Sequence, residues 1–275
     1  MFGDELKGKL KSILFELAQP ELKKIQRYKD IHKGESCYVI GDGISLKWFD
    51  LKEFSDKTSI VVGRIPFHNE FEVLKTKYLM EMDPYIFYPH FWNKNISRTT
   101  SMPYIYKAYR EIIKNNQDKQ FFLNLSNYPV VRSSNLTFMF KDIKDKRLPA
   151  DFITRQINPF QGSIRSSILL AIYMGFEHCY LVGCDYTHVP SRSVHWYEKG
   201  QGTFCEQPGY QKEFFEIAKE FINITTITLD GTSEFINSIT YKDHTGREPV
   251  YRENTELVDD RYLKVLATWP DYSIY

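Results

Sequence analysis

The sequence predicts an α/β fold of the doubly wound, Rossmann-like type, built on a mostly parallel sheet. Two observations point to this class. Short apolar runs rich in β-branched residues alternate with helical segments along the chain, which is typical of βαβ units. Several of these runs end directly in glycine or in polar residues, and the carboxyl ends of parallel strands are where such folds bind their ligands.

The first half of the sheet is predicted from three apolar runs, over residues 36–40, 58–63 and 78–82. Polar or glycine residues follow each run: Gly41, Asp42 and Gly43 after the first, Arg64 after the second, and Asp83 after the third. A Gly-x-Gly pair after a strand lets backbone amides approach a phosphate, because no side chain obstructs them. We therefore expect the three strand ends to gather around one ligand.

The strongest signal lies in residues 179–188. An apolar run there ends at Gly183 and is followed by Asp185, Tyr186, Thr187 and His188. Just upstream, residues 164–174 have the composition of a buried helix, with Ser163 as the expected N-cap and Gly175 as the stop. This order of helix, glycine, strand and polar cluster predicts one half of a nucleotide-binding unit.

The remaining elements follow from periodicity and composition. We predict helices over residues 105–114 and 210–221, strands over residues 121–125 and 224–229, and exposed loops over residues 142–151 and 200–209. The last of these loops is rich in glycine and is a candidate lid. The last strand ends close to two further hydroxyl groups at the same predicted edge, those of Thr232 and Ser233.

Three regions are predicted along the chain. Residues 1–33 form an amphipathic helical segment with a basic face, which either packs on the domain or contacts a membrane surface. Residues 34–240 form the Rossmann-like, nucleotide-binding domain, in which residues 186–209 make the lid-like loop. Residues 241–275 are polar and then aromatic, and we expect an irregular extension that packs on the domain or beside its ligand site.

Composition narrows the classes of function. The 275 residues include 36 basic and 35 acidic side chains, whereas a general nucleic-acid-binding protein has a basic excess, so nucleic acid is not an expected partner. The 4 cysteines are too few for a disulfide scaffold in a chain of this length. Cys179, Cys184 and His188 are badly placed for one zinc ion, because the first cysteine lies inside the predicted strand and the second at its end.

The expected location is the cytoplasm. Residues 1–19 lack the continuous apolar core of a signal peptide, and no run approaches the length of a membrane span. Peripheral contact with the inner membrane stays open through the basic amino-terminal helix. The sequence also leaves open whether the chain is a monomer or a homo-oligomer.

Several short motifs, in order along residues 32–235, resemble those of bacterial lipooligosaccharide sialyltransferases and their wider kin, some of which are described as pterin-diphosphokinase-like. Residues 32–46 resemble the amino-terminal "hKG…GNGPSL" signature of that family, and Asp83-Pro84 resembles its Asn-Pro pair. Three further segments resemble its "TSG…GY…L-x-G-x-D…H-x-Y" block, namely Gln161-Gly162-Ser163, Leu181-Val182-Gly183-Cys184-Asp185 and His195-Trp196-Tyr197.

The resemblance implies a Rossmann-like glycosyltransferase of the GT-A-variant type. Such an enzyme moves an acidic sugar (sialic acid, a related nonulosonate or Kdo) from a CMP-sugar to a hydroxyl of an oligosaccharide or lipid-linked glycan during bacterial surface-glycan synthesis. It needs no cofactor and no obligatory metal ion. The general-base role carries over to His195, and the nucleotide-holding role carries over to Gly41, Gly43, Gly162, Ser45 and Ser163.

This sequence departs from the family pattern at several of these positions. Asp42, Arg64 and Asp83 stand where the family has asparagines, and two added carboxylates would repel a CMP phosphate unless a cation such as Arg64 compensates. One phosphate-contacting tyrosine of the family falls at Thr187, with Tyr186 adjacent. A different nucleotide sugar, or a loss of activity, therefore stays open.

The residues can also be interpreted from their chemistry alone. Imidazole titrates near neutral pH, which makes His195 and His188 candidate general bases. The rings of Trp196 and Tyr197 could stack on a sugar beside the first of these histidines. Asp185 could orient a histidine or bind a ribose hydroxyl, and its alternative role is to cap local backbone amides.

Arg64 and Arg165 are candidate ligands for phosphate or carboxylate, since a guanidinium matches both groups in a bidentate way. Arg165 also lies in the first turn of its predicted helix, where the helix dipole favours an anion. Two other functions stay open. A metal-dependent pterin or nucleotide diphosphokinase would use Asp42, Asp83 and Asp185 as oxygen ligands. A catalytically degenerate protein would bind a nucleotide sugar without turning it over.

Overall fold

The computed structural model describes residues 13, 16–84, 86–88, 102–139, 162–205, 212–269 and 271–275. The predicted loop over residues 142–151 lies outside these ranges, as do most of residues 6–17 of the predicted amino-terminal helix and residues 206–209 of the predicted lid. Within the described ranges the chain forms one large sheet with helices packed on both faces.

The main sheet has eight strands, and every neighbouring pair is parallel. Numbered along the chain, its strands are β1 (Ser36–Ile40), β2 (Thr58–Val62), β3 (Thr76–Glu81), β4 (Gln120–Asn124), β5 (Leu136–Met139), β6 (His178–Val182), β9 (Asn223–Thr228) and β10 (Asn237–Thr240). Their spatial order is β10-β9-β6-β1-β2-β3-β4-β5. The predicted doubly wound α/β class is confirmed.

Helices cover both faces, which explains why the central strands are apolar throughout rather than alternating. The α-helices are α1 (Met102–Asn115), α2 (Ser163–Tyr173), α3 (Lys212–Ala218), α4 (Tyr241–Thr245), α5 (Asn254–Leu257) and α6 (Asp260–Leu266). One core contains the buried sides of α2 and α3, and the other contains those of α1, α4 and α6. Short 3₁₀ turns, including Ile44–Trp48 and Leu51–Phe54, add apolar side chains to the core that contains α1, α4 and α6.

The strand order reverses direction between β1 and β6. From β1 the chain adds β2, β3, β4 and β5 in one direction, and from β6 it adds β9 and β10 in the other. The helices that follow β1 and β6 therefore lie on opposite sides of a crevice at the carboxyl ends of these two strands, the usual ligand position in such a sheet. Ile40 of β1 pairs with Val182 of β6, so both strands end at the same level.

Within the predicted amino-terminal helical segment, Lys23–Tyr28 is a 3₁₀ helix that packs on the sheet. Leu22, Ile25 and Tyr28 are buried, and Arg27 donates hydrogen bonds to Gln120 of β4 and to Thr137 of β5. The apolar side of this segment is thus covered by the domain. Among the described residues, no helix is both long enough and apolar enough to cross a bilayer.

The region from residue 241 onward, predicted to be irregular, contains three short helices. Each begins with a side-chain cap: Thr240 accepts the N–H of Asp243, Glu253 forms a capping box with Glu256, and Asp259 accepts the N–H of Arg261. Such caps satisfy the free amides of a first turn and allow helices too short to be visible as a hydrophobic repeat. The Tyr241 ring stacks on Phe49, 4.7 Å away, which fixes this region to the domain.

Part of the predicted lid is a small hairpin. β7 (Ser191–Arg192) pairs antiparallel with β8 (Phe204–Cys205), and Ser193 N–H donates to Thr203 O. Gly202, between the two strands, has φ +65° and lies against Ser193 and Ile44, where a Cβ atom would clash. Two isolated bridges, Val189 with Thr232 and His195 with Gly43, join the described residues of this loop to the rest of the domain.

Candidate functional site

The crevice between β1 and β6 forms a pocket at the carboxyl edge of the sheet. Backbone hydrogen bonds join the two strand ends, from Gly41 N–H to Val182 O at 2.8 Å and from Gly43 N–H to Gly183 O at 2.7 Å. Residues predicted from several separate motifs line it together: Asp42, Gly43, Ile164, Gly183, Cys184, Asp185, Tyr186, Thr187, Val194 and His195. The structure thus brings the first and second halves of the predicted site into contact.

Glycine is required at Gly41 and Gly43 by space. A Cβ atom on Gly43 would lie 1.8 Å from Oδ2 of Asp185, and one on Gly41 would lie 2.7 Å from Gly183 O. The backbone of Gly43 is in an extended conformation that any residue can adopt, with φ −67°. Close approach of the two loops, not backbone conformation, is the reason for these glycines.

Asp185 binds the first glycine loop. Its Oδ2 accepts hydrogen bonds from Ser45 N–H at 3.2 Å and from Ser45 Oγ at 3.0 Å. Burial raises the pKa of Asp185 to about 6, although these two hydrogen bonds oppose the rise. The carboxylate thus caps a backbone amide, but that of Ser45 in the distant first loop rather than the local amide that was predicted. Ser45, predicted to hold the nucleotide, is engaged by the same carboxylate.

Asp42 is also engaged by protein donors. Its carboxylate accepts the Arg64 N–H at 2.9 Å and the indole N–H of Trp196 at 3.3 Å. Burial raises the pKa of Asp42, while the charges of His195 and Arg64 partly offset that rise. The predicted repulsion of a phosphate by this carboxylate is therefore reduced by the donors that surround it.

His195 and Glu198 form a hydrogen-bonded pair at the mouth of the pocket. Nδ1 of His195 lies 2.8 Å from Oε1 of Glu198, and the imidazole is 40% exposed. Since a carboxylate only accepts, Nδ1 carries the proton and Nε2 is left as the basic nitrogen. The pKa of Glu198 is lowered overall. Burial alone would raise it, but the hydrogen bonds from His195 and Ser273 have the larger combined effect.

Glu198 was missed by the sequence interpretation. The available signal was the spacing of His195-Trp196-Tyr197-Glu198, in which a carboxylate follows a candidate base by three residues. The predicted sugar-stacking role of Tyr197 is not what the structure shows, since this ring is buried and stacks on the imidazole at 5.0 Å. Trp196 is buried as well, and its ring contacts those of Tyr197 and His68 rather than a ligand.

The carboxyl-terminal region holds this pair in place. Ser273 N–H donates to the second oxygen of Glu198 at 3.1 Å, and Lys199 N–H donates to Ser273 O at 2.6 Å. The ring of Tyr272 meets the imidazole of His195 edge to face, with ring centroids 5.6 Å apart. Asn254, at the start of α5, donates to Tyr197 O at 2.9 Å. Residues distant in sequence thus complete the site.

Arg64, predicted as a phosphate or carboxylate ligand, is buried in an ion pair with Glu81. Nη1 of Arg64 lies 3.1 Å from Oε2 of Glu81, and both side chains are almost completely inaccessible. Burial and the nearby charge of Asp83 raise the pKa of Glu81 to about 7, against the effect of Arg64. Asp83 itself is exposed, and its N–H donates to Glu81.

The amino end of α2 borders the pocket through Ile164. The helix begins at Ser163, and its N-cap is Gly162, with φ +110°, so the prediction of Ser163 as N-cap was wrong by one residue. Ser163 Oγ instead accepts the N–H of Met82, which ties the helix to the end of β3. Arg165 lies in the first turn, as predicted.

His188 is buried rather than presented to a ligand. It is 2% exposed, and burial lowers its pKa to about 4, so at neutral pH it is uncharged. Val189 and Thr232 exchange backbone hydrogen bonds beside it, and Ser233 Oγ accepts the N–H groups of Phe235 and Ile236. Thr232 and Ser233 therefore serve the local structure between β6 and β10, whereas the buried Nδ1 of His188 has no hydrogen-bond partner among the described residues.

Two further predicted residues flank the pocket floor and mouth. Thr187 is buried, and its hydroxyl donates to Cys184 O at 2.7 Å, whereas Tyr186 is 39% exposed at the mouth. In the part of the chain that the structure describes, no three His, Cys, Asp or Glu side chains are grouped as a metal site requires.

Comparisons with known proteins gave similarity of fold only. No family model matches the sequence, and no curated protein matches it. Two glycosyltransferase structures are similar. The MAf glycosyltransferase from Magnetospirillum magneticum AMB-1 shares 12% identity with a TM-score of 0.45, over 91% of this chain and 41% of that one. The sialyltransferase CstII from Campylobacter jejuni, solved with the substrate analogue cytidine-5′-monophosphate, shares 13% identity with a TM-score of 0.47, over 86% of this chain and 98% of that one.

This chain spans less than half the length of the Magnetospirillum protein. Likeness at these scores carries no argument about activity. The α/β class rests on the parallel sheet and its two helical layers.

Proposed function

We propose that the chain is a glycosyltransferase that moves a sugar from a nucleotide-activated donor to an acceptor hydroxyl. The observation that carries the proposal is the His195–Glu198 pair, which lies at the mouth of the crevice where the strand order reverses. A half-exposed imidazole whose other nitrogen is held by a buried carboxylate is the arrangement a general base needs.

In the proposed reaction, Nε2 of His195 takes the proton of the acceptor hydroxyl. The acceptor oxygen forms a bond to the anomeric carbon of the donor, the bond from that carbon to the phosphate oxygen breaks, and the nucleotide leaves with the electron pair. Glu198 keeps the imidazole in the correct tautomer and stabilises the imidazolium that forms. The proton then passes to solvent.

The proposed donor is a CMP-activated acidic sugar: sialic acid, a related nonulosonate or Kdo. Two features support a nucleotide phosphate in the crevice: the amino end of α2, and Arg165 in its first turn. The predicted approach of the Gly41 and Gly43 amides to a phosphate is not supported, because both amides already donate to Val182 O and Gly183 O. The motifs shared with lipooligosaccharide sialyltransferases support CMP in particular. We propose that transfer needs no cofactor and no obligatory metal.

The proposed acceptor is an oligosaccharide or a lipid-linked glycan of a bacterial surface polymer. The proposed location is the cytoplasm, with peripheral contact at the inner membrane through the basic amino-terminal segment. These two statements rest on the family resemblance and on the composition of residues 1–33.

The diphosphokinase alternative requires oxygen ligands for a divalent metal ion. Two of its three candidate ligands, Asp42 and Asp185, already accept hydrogen bonds from Arg64 and Ser45. The third, Asp83, is exposed. These contacts favour the glycosyltransferase over the kinase without depending on any bound ion.

A thermal-shift panel of CMP, CDP, ATP and GTP, with and without magnesium, tests the proposal. A ligand at 100 times its dissociation constant stabilises the folded state by about 2.7 kcal/mol, which such a measurement detects. We expect stabilisation by CMP or CDP without magnesium. Stabilisation only by ATP or GTP with magnesium would contradict the proposal and favour the diphosphokinase.

Turnover separates an enzyme from a degenerate binding protein. We expect release of CMP from CMP-N-acetylneuraminic acid or CMP-Kdo, and its loss in His195→Ala. Tight CMP binding with no release from either donor, unchanged by His195→Ala, would instead support a binding protein.

A further inference from the structure

Three aromatic rings and one guanidinium form a partly exposed surface beside the pocket. The guanidinium of Arg192, in β7, lies 5.2 Å from the ring centroid of Trp48 and 4.0 Å from that of Phe204, in β8. The Tyr251 ring lies 5.0 Å from Trp48, at an angle of 52°. We name this surface, made of Trp48, Arg192, Phe204 and Tyr251, the aromatic ridge.

Backbone pairing holds the ridge in place. Arg192 and Phe204 are partners in the β7–β8 hairpin, so their side chains leave the strands side by side. Val250 N–H donates to Trp48 O at 3.0 Å, which places Tyr251 beside the indole. Below them, the buried ammonium of Lys47 lies 2.5 Å from Glu253 and 2.7 Å from Gly200 O. The rings are therefore pre-organised rather than free to collapse onto the surface.

The ridge is accessible to a ligand. Phe204 is 61% exposed and Val250, at its edge, is 65% exposed, while the other three members are half-buried. A contiguous apolar surface of this kind marks a binding site more often than scattered single exposed side chains do. Arg192 adds hydrogen-bond donors within it, since one of its nitrogens reaches Gln201 O at 3.2 Å and others remain on the same planar group.

The ridge adjoins the His195–Glu198 pair. Gly43 and His195 pair as an antiparallel bridge, which joins the turn that carries Trp48 to the segment that carries Arg192. Arg192 precedes His195 by three residues, and Val194, between them, lines the pocket. A molecule whose hydroxyl reaches Nε2 of His195 can therefore extend over the ridge.

We propose that the aromatic ridge binds the acceptor glycan, with its rings against the apolar faces of the sugars that lie beyond the reacting hydroxyl. Aromatic rings supply flat apolar area, and the adjoining guanidinium and phenol supply polar contacts to sugar hydroxyls, which is the composition of a specific small-ligand surface. The proposal rests on the proposed function, because it identifies the ligand as the acceptor of that reaction.

Binding of the full chain to an array of immobilised neutral and acidic oligosaccharides tests the ridge without any donor. We expect the wild type to retain a subset of these oligosaccharides, and Phe204→Ala and Arg192→Lys to bind that subset at least tenfold more weakly. Arg192→Lys keeps the charge but loses the planar group. Phe221→Ala is the matched control, because Phe221 is 54% exposed elsewhere on the surface, and it should bind like the wild type.

The melting temperature and the CMP-dependent thermal shift of each variant accompany the array. We expect both to match the wild type, since the ridge lies outside the nucleotide crevice. If CMP fails to bind the wild type while the ridge variants still lose glycan binding, the proposed function fails and the ridge stands as a glycan-binding surface.

Two results overturn the ridge proposal. One is a wild type that retains no oligosaccharide, and the other is glycan binding that persists in both Phe204→Ala and Arg192→Lys. Sedimentation with phosphatidylglycerol vesicles that is lost in Phe204→Ala, without oligosaccharide binding by the wild type, would assign the ridge to a membrane instead.

Discussion

Oε1 of Glu198 accepts two hydrogen bonds from one residue, His195: the ring Nδ1 lies 2.8 Å away and the backbone N–H donor lies 2.9 Å away. The carboxylate therefore fixes both the backbone and the ring of the histidine. Its other oxygen is held by Ser273 N–H at 3.1 Å. In the proposed role of general base, a histidine held in this way would need little reorganisation when it receives a proton.

Substitutions in this pair should lower turnover with little effect on folding. We expect His195→Ala to reduce kcat for sugar transfer to an oligosaccharide acceptor, followed by the release of CMP, by about 10³-fold, a typical contribution of a positioned base. Glu198→Gln should reduce it by about 10²-fold, because the imidazolium that forms on proton transfer loses its negative partner. Steady-state kinetics over a range of pH measures both effects.

The chain contains a matched control for this substitution. Nδ1 of His32 lies 3.0 Å from Oε2 of Glu35, with the same spacing of three residues, but this pair lies at the amino ends of the strands. Glu35→Gln should leave kcat within about twofold of the wild type. An equal loss of kcat in Glu35→Gln and Glu198→Gln would show that any disrupted His–Glu pair lowers kcat, and that Glu198 has no particular role beside a base.

We expect the backbone N–H of Ser273 to contribute to kcat, and two substitutions separate its effect from that of the side chain. Ser273→Pro removes the donor to Glu198, whereas Ser273→Ala keeps it and changes only the side chain. Loss of one hydrogen bond to a charged group costs about 1.5 kcal/mol, so we expect kcat to fall about tenfold in the proline variant and to stay unchanged in the alanine variant. Unchanged kcat in Ser273→Pro would remove this residue from the site.

Much of the fold was predictable because strands buried on both faces leave a continuous apolar run in the sequence. The positions of β1, β2 and β6, and the polar residues at their ends, follow from such runs. His195 was predicted as a candidate base because its motif follows the central strand and resembles the H-x-Y segment of the sialyltransferase family. These signals depend on residues that are close together in the sequence, so a single sequence contains them.

The parts that could not be predicted depend on contacts between distant residues. Ser273 meets Glu198 across 75 positions, and no local pattern marks either residue as a partner. Arg64 has the chemistry of a phosphate ligand, but its burial against Glu81 is decided by the neighbouring strand β3. The short helices after residue 241 carry capping signals but too few turns for a hydrophobic repeat.

Gly43 should be intolerant of a side chain, and the cause should be space. In Gly43→Ala the new Cβ would lie 1.8 Å from Oδ2 of Asp185, which Ser45 holds in place. We expect a loss of about 2 kcal/mol in the free energy of unfolding, as for other overpacked sites, and CMP binding at least tenfold weaker. Urea unfolding and the CMP thermal shift measure the two effects.

Gly246 provides the contrasting control. It has φ +72° and no atom within 4 Å of a new Cβ, so Gly246→Ala adds backbone strain without crowding. This strain should cost about 1 kcal/mol, with CMP binding unchanged. Equal effects of the two substitutions on CMP binding would contradict the assignment of Gly43 to the crevice.

His188 should contribute acid sensitivity rather than catalysis. Burial lowers its folded-state pKa to about 4, whereas an unfolded histidine has a pKa of about 6.5. Between these values the unfolded chain binds a proton that the folded chain does not, so the free energy of unfolding falls as the pH falls from about 6.5 to about 4. His188→Gln should remove this contribution, which is of the order of 2 kcal/mol.

Other buried histidines, such as His68 with a pKa of about 3, contribute in the same direction, so only the difference between wild type and variant isolates His188. Urea unfolding at several pH values measures the difference in the free energy of unfolding between wild type and His188→Gln. We expect the advantage of the wild type to decrease as the pH falls, and kcat of the variant to stay within about twofold of the wild type. If the free energies of unfolding of the two proteins change in parallel with pH while the variant loses most of its kcat, the catalytic proton transfer would belong to His188 and not to His195.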